Sequence, residues 1–269
     1  MAVTTIRAER PALQRGGVGA WIDAVHGMAE ADLRVRYGRG WSRVLKWLLD
    51  PYALVGVYLI LVTFVLHRAG PAPGLSLACS VIPFQLVMAT VLNAIAAIHG
   101  RKSIILNMPF DRTLIPIATV LTEIAAYAAS LTLIVVMMIV YSVAPTIYIL
   151  WFPLVALVTI LVALGFAFPA AIFGLWYRDL RNLALSVVRT LYFVAPGLVP
   201  LSNTGGTAYQ LLKLNPLTGL FESYRAIFVF GRSPHLWELL YPTVFALILL
   251  AVGVPLYRAD QSQFAKVVE

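Results

Sequence analysis

The chain has 269 residues, 61% of them hydrophobic and only 12% charged, with a formal net charge of +8 and a mean hydropathy of +0.86. So much apolar surface excludes an ordinary soluble domain and fits a chain whose solvent is lipid. The positive charge does not point to nucleic acid, because the basic residues follow topology instead of forming a stripe. Cys79 is the only cysteine, which excludes an intrachain disulfide and a cysteine metal cluster.

Of the 20 lysines and arginines, all but Arg68, Lys213, Arg225 and Arg232 fall in four places. Arg7, Arg10, Arg15, Arg34, Arg36, Arg39, Arg43 and Lys46 precede the first long apolar stretch. Arg101, Lys102 and Arg112 separate the second from the third. Arg178, Arg181 and Arg189 lie between, or just inside, the fourth and fifth, and Arg258 and Lys266 follow the last. This is the positive-inside pattern of a multi-pass protein with both termini in the cytoplasm. The expected fold is all-α and polytopic, with six transmembrane helices, an N-terminal amphipathic interface helix, and an external re-entrant helical hairpin between spans five and six.

Residues 1–20 have no apolar period and are expected to be a flexible cytoplasmic tail. Over 21–37 the pattern turns helical, with Ile22, Val25, Ala29 and Leu33 on one face and Asp23, Glu30 and Arg34 opposite. Glu30–Arg34 and Asp32–Arg36 are spaced for i,i+4 ion pairs. This helix and its connector, 21–46, read as lying in the cytoplasmic interface, the alternative being a helix packed on a partner protein.

The transmembrane region is expected over 47–258, with a cytoplasmic tail at 259–269. Its spans are predicted at about 47–66, 75–98, 114–143, 149–175, 183–201 and 236–256. The first apolar stretch reads as a retained span, not a cleaved signal. Asp50-Pro51 is placed near the cytoplasmic entrance of span one, where a proline is tolerated because its missing N–H would be unpaired anyway. Span three exceeds the ~20 residues needed to cross, so it must tilt or protrude. No internal repeat is evident, so the inverted-repeat signature of many secondary transporters is missing.

Residues 202–235 lie outside by the charge pattern. They contain an apolar segment, 217–230, too short to span comfortably and carrying Glu222 and Arg225 one turn apart. A re-entrant hairpin bent at Asn215-Pro216 is predicted; a helix lying flat on the outer surface is the alternative.

Nucleotide and hydrolase motifs are absent from the sequence: there is no G-x-x-x-x-G-K-[ST], no H-E-x-x-H and no G-x-S-x-G. His26, His67, His99 and His235 have no metal-ligand spacing. Neither a catalytic nor a metal site is therefore expected. Two ionisable residues fall inside spans, Glu123 in the third and Arg189 in the fifth. Intramembrane charges face protein or water, so the two are expected to line a polar pathway or to pair. The alternative is that Arg189 snorkels to the surface while Glu123 is neutral or hydrogen-bonded between helices. In the loop 99–112, the apolar Ile104, Ile105 and Leu106 stand beside Arg101 and Lys102 and need a cover. A docked cytoplasmic protein or the membrane surface would supply it.

The N-terminal helix ending Arg34-Val35-Arg36-Tyr37, the loop Asn107-Met108-Pro109-Phe110 with Pro116 beyond it, Tyr177-Arg178-Asp179 after span four, and Leu214-Asn215-Pro216-Leu217 through Tyr224-Arg225 before the last span carry a resemblance. Taken together, these elements resemble the membrane subunit of a polysaccharide-exporting ABC transporter, the class that includes O-antigen and teichoic-acid exporters. Met108 departs from the charged residue more usual before the loop proline. The resemblance implies a homodimer in the bacterial plasma membrane, joined on its cytoplasmic face by two copies of a separate ATPase subunit. ATP and Mg would be bound by that partner and no cofactor by this chain. The substrate implied is a lipid-linked glycan, with O-antigen and cell-wall galactan both left open. The ATPase contact would comprise Arg101, Lys102, Ile104, Ile105, Leu106, Pro109, Phe110, Asp111, Arg178 and Asp179. The hairpin would be an external gate built on Asn215, Pro216, Glu222, Tyr224 and Arg225. Glu123, Trp176, Arg189, Tyr192 and Phe193 are the candidates for the translocation path. A stand-alone secondary transporter or channel, and a membrane-embedded lipid-processing enzyme, are the competing classes.

Overall fold

The computed structural model describes residues 18–37, 41–65, 70–102, 105, 110–177, 181–198, 200–201 and 206–261. Among these the chain forms helices and no strand. The helices are α1 Val18–Tyr37, α2 Trp41–Ile60, α3 Pro73–Gly100, α4 Leu114–Ser130, α5 Thr132–Val140, α6 Phe152–Trp176, α7 Arg181–Val194, α8 Gly206–Lys213, α9 Pro216–Phe228 and α10 Leu236–Asp260. α2 continues through a wider helical turn at Leu61–Val65, and a tighter turn at Ile147–Trp151 leads into α6.

Among the described residues, four stretches are long and apolar enough to cross a bilayer: Pro73–Gly100, Leu114–Val140, Ile147–Trp176 and Leu236–Asp260. They match predicted spans two, three, four and six and make the chain an integral membrane protein. Spans one and five correspond to shorter apolar helices, Leu49–Phe64 and Asn182–Val194.

α3 is the most enclosed of the long helices. It packs along α6, with α4 against both, and α10 covers the other side of α6. The α3–α6 crossing depends on small residues, since apolar association within lipid relies on close packing. A Cβ added at Gly174 would lie 2.0 Å from the Ile95 carbonyl oxygen, so the backbones meet there with no side chain between them. α2 and α7 flank α3. Along α1 the predicted faces hold in part: Val25 and Ala29 are buried and Leu33 partly so, while Asp23, Glu30 and Arg34 are exposed, but Ile22 on the apolar face is exposed too. The cover for the apolar face is α4 of the same chain, through Leu114 and Ala118. Glu30 pairs with Arg34 as expected. Asp32 instead reaches Arg101 at the end of α3; the side chain of Arg36 lies outside the described residues.

Two expectations are corrected. The helix of predicted span one, α2, begins at Trp41, and Asp50 shares a cleft with Gln85, midway along α3, and with Ser130. Asp50 is therefore level with the middle of the bundle, not near an entrance. Span five was expected to reach residue 201, but α7 stops at Val194 after 14 residues, about 21 Å at the α-helical rise. Pro196 is the reason. It has no N–H to continue the helix and disfavours helical geometry in the residue before it.

The bend at Asn215-Pro216 is present. Asn215 has extended backbone (φ −81°, ψ 122°), its side chain accepts from the Leu217 N–H at 3.0 Å, and Pro216 occupies the first turn of α9. That is an N-cap followed by the residue that fits the first helical position. All 13 residues of α9 are buried, so α9 is not a helix lying on the outside of the bundle. It nests among α3, α6 and α10. A Cβ at Gly219 would sit 2.6 Å from the Glu238 carbonyl oxygen, which shows how closely α9 and α10 approach.

Candidate functional site

Arg101, Arg112 and Arg258 mark one end of the bundle, the basic end, where α3 stops, α4 starts and α10 stops. The loop joining α3 to α4 is anchored at both sides. At its start the buried Arg101 guanidinium donates to Asp32 of α1 and, from Nη1, to the Ala97 carbonyl at 3.3 Å. At its end Arg112 Nη1 donates to the Gln261 carbonyl, and Tyr257 OH donates to the Arg112 carbonyl at 3.0 Å. Asp111 Oδ1 accepts from the Thr113 N–H at 3.0 Å and steadies the entry to α4. The loop thus holds α1 and α10 by direct bonds.

The predicted ATPase-contact residues divide. Lys102 and Asp111 are exposed, and Phe110 is partly buried against the α1–α4 packing. Arg101 and Ile105 are buried within the chain, so neither offers its side chain to a partner in this conformation. Ile104, Leu106, Pro109, Arg178 and Asp179 lie outside the described residues.

Among the path candidates, Glu123 is 2% exposed and accepts from Asn93 Nδ2 at 2.7 Å. This is the hydrogen bond between helices that the sequence left open. Arg189 is exposed on α7. Tyr192 is buried by packing in this conformation. Its ring is 1% exposed, stacked on Tyr58 at 5.6 Å, and pressed by Phe84 at 4.6 Å and Phe221 at 5.8 Å. Phe193 is 54% exposed. Trp176 is also exposed, and its Nε1 donates to Asp260 Oδ2 at 3.4 Å, which places it at the basic end.

The opposite end is organised by Arg225. Its side chain is fully buried and donates five hydrogen bonds to four residues on three segments. Nε bonds the Ser76 hydroxyl at 3.0 Å and, more weakly, its carbonyl at 3.4 Å. Nη1 bonds the Pro196 carbonyl at 2.6 Å and Glu222 Oε1 at 2.8 Å, while Nη2 bonds the Gly197 carbonyl at 2.9 Å. Glu222 Oε1 also accepts from the Leu201 N–H at 3.0 Å, and Ser80 Oγ donates to the Gly197 carbonyl at 2.6 Å. On the adjacent residue, Tyr224 OH is hydrogen-bonded to Tyr127 OH and lies 3.2 Å from Thr159 Oγ1. Thr159 is about 10 Å past the start of α6 at the helical rise, so α9 reaches well into the bundle. Glu222 and Arg225 therefore face inward and lock the hairpin; they do not line an opening.

Sequence reasoning passed over Ser76, Ser80, Asn93, Tyr127 and Thr159. Each is a polar residue in an apolar helix, and that is the signal that would have found it, because a polar group at membrane depth seeks a partner. No metal-holding group of three or more His, Cys, Asp or Glu occurs among the described residues.

Long apolar helices, buried polar contacts between them and a basic end define a multi-helix integral membrane protein. No protein-family model matches the chain. It is 25% identical over 241 residues to an O-antigen export system permease protein of Myxococcus xanthus, covering 89% of this chain and 93% of that one. It is 23% identical over 252 residues to an O-antigen export system permease protein of Klebsiella pneumoniae, covering 93% and 96%. Against a polysialic acid transport protein of Escherichia coli it is 24% identical over 235 residues, covering 86% and 90%. The resemblance drawn from scattered elements thus extends along most of the chain, and its homologues are permeases and transport proteins of polysaccharide export.

Proposed function

We propose that this chain is the transmembrane subunit of an ATP-driven exporter that carries a lipid-linked polysaccharide out of the cytoplasm across the bacterial inner membrane. The observation that carries this reading is the near full-length similarity to export permeases. On this reading the basic end is cytoplasmic, as are both termini, and α2 and α7 complete a set of six spans. Two copies of the chain form the route, and two copies of a separate ATPase bind ATP and Mg beneath them.

The geometry supports a division of labour. At the basic end, Lys102 and Asp111 are exposed on the loop whose two sides grip α1 and α10. An ATPase pushing on this loop would move those helices together. At the far end, the α8–α9 hairpin closes the outer mouth, with Asn215-Pro216 as its bend and the Glu222–Arg225 pair, flanked by Tyr224, as its lock.

Co-purification tests this reading. The tagged chain, expressed with the ATPase encoded beside it, should return that subunit in equal amount. Recovery of the folded chain alone, with transport needing no ATPase, would contradict it.

A further inference from the structure

Midway along α3 a cleft of about 110 Å³ opens between α2, α3 and α4. Its polar lining is Asp50 from α2, Gln85 from α3, and Glu123, Tyr127 and Ser130 from α4. At 1.5 Å per residue, Gln85 lies about 18 Å from the Pro73 end of α3 and about 22 Å from the Gly100 end. Asp50 is exposed and Gln85 partly so, and neither makes a hydrogen bond among the described residues. Asn93, which holds Glu123, also lines a second cleft, of about 260 Å³, that runs along α3 to Asp32 and Arg101. Hydrogen-bonding groups therefore mark a track along α3 from the basic end to mid-depth.

An ionisable residue exposed at this depth faces protein or water, not lipid. A void needs on the order of 10–15 Å³ to hold one water, so the cleft at Asp50 and Gln85 admits several. Such a site can exchange water for the hydroxyl edge of one sugar ring, though not for a polymer chain in cross-section. Its chemistry is selective: carboxylates accept from hydroxyls and amides both donate and accept. Asp50 and Glu123 present acceptor oxygens, and phosphate brings only acceptors of its own, so the charged part of a lipid carrier is poorly matched to this lining.

We propose that Asp50 and Gln85, backed by Glu123, form an intramembrane subsite for the hydroxyls of uncharged sugar residues in the transported glycan. This rests on the exporter reading and extends it to a position within one subunit. The competing occupant, a cation, would require the negative charge; a hydroxyl requires only a hydrogen-bonding group.

The experiment uses the chain with its ATPase in lipid nanodiscs. The probe is a photoactivatable alkyl maltoside, and an alkyl sulfate of the same chain length is the comparator, both below their micelle concentrations. The maltoside should crosslink saturably to peptides containing Asp50 or Gln85, and the sulfate should not. Gln85→Leu and Asp50→Leu should each weaken the apparent affinity by about tenfold, the worth of one hydrogen bond. Asp50→Asn, which keeps a hydrogen-bonding group, should weaken it by less than about threefold on the same scale. A symmetric elution profile and a retained ATPase subunit establish that each variant is folded. Unchanged labelling of Gln85→Leu would overturn the subsite, as would equal losses in Asp50→Asn and Asp50→Leu, the mark of a cation. Glycan export by the wild type, measured in parallel, separates failure of the subsite from failure of the exporter reading.

Discussion

The guanidinium of Arg225 donates from Nη2 to the carbonyl oxygen of Gly197 at 2.9 Å, inside the bundle and 28 residues away along the chain. The contact explains two features together. Helix α7 ends at Val194, just before Pro196, leaving carbonyls that no helical N–H satisfies. A buried arginine is affordable there because those carbonyls, Glu222 and Ser76 take up its donors.

Arg225→Met should therefore be a folding defect before it is a transport defect. Removing one member of a buried pair leaves the other uncompensated and costs about 3–5 kcal/mol. Glu222→Gln should be milder, since an amide oxygen still accepts from the Leu201 N–H. Thermal unfolding of the purified variants in detergent checks the order.

Gly174→Val should lower the unfolding midpoint, because the added carbons meet the Ile95 backbone. Overpacking of this kind costs about 1–3 kcal/mol, and more when backbone must yield. Gly27→Ala, on α1 with nothing within 4 Å of the added carbon, should be neutral or slightly stabilising. Paired melting curves test the contrast.

Asp32→Asn should loosen α1 from the end of α3. Hydrogen bonds to a charged group contribute about 1.5–3 kcal/mol, and the amide keeps part of that. The ATPase subunit should still bind while glycan export falls, since the loop surface is intact and its grip on α1 is weakened. Co-purification and export measured on the same preparation separate the two effects.

Topology has its own test. In a Cys79→Ala background, Ser233→Cys at the hairpin end should react with an impermeant maleimide added to intact cells, and Ser262→Cys should react only after permeabilisation. The reverse pattern would invert the assignment of the basic end to the cytoplasm.

Much of this was legible from residue patterns. Uninterrupted apolar runs announced α3, the α4–α5 pair, α6 and α10, because a helix that must satisfy its own backbone in lipid shows as an unbroken run. Asn215-Pro216 announced the α8–α9 bend for a local reason, the proline ring. The depth of Asp50 and the early end of α7 were not legible. Asp50 reads as an entrance residue until α2 is seen to begin at Trp41, and the apolar residues beyond Pro196 continue the hydropathy of a span whose helix has stopped. Arg225 had the spacing of a surface ion pair with Glu222, and only the three-dimensional fold brings Ser76, Pro196 and Gly197 to its other nitrogens. The burial of Tyr192 depends likewise on rings from α2, α3 and α9.

The central claim is export driven by a partner ATPase. Its most direct test is transport of a radiolabelled lipid-linked glycan in proteoliposomes containing this chain and the ATPase. Vectorial movement that needs both proteins and hydrolysable ATP, and that stops with a hydrolysis-deficient ATPase, is the predicted result. Movement by this chain alone, or at an equal rate without ATP, would contradict the account.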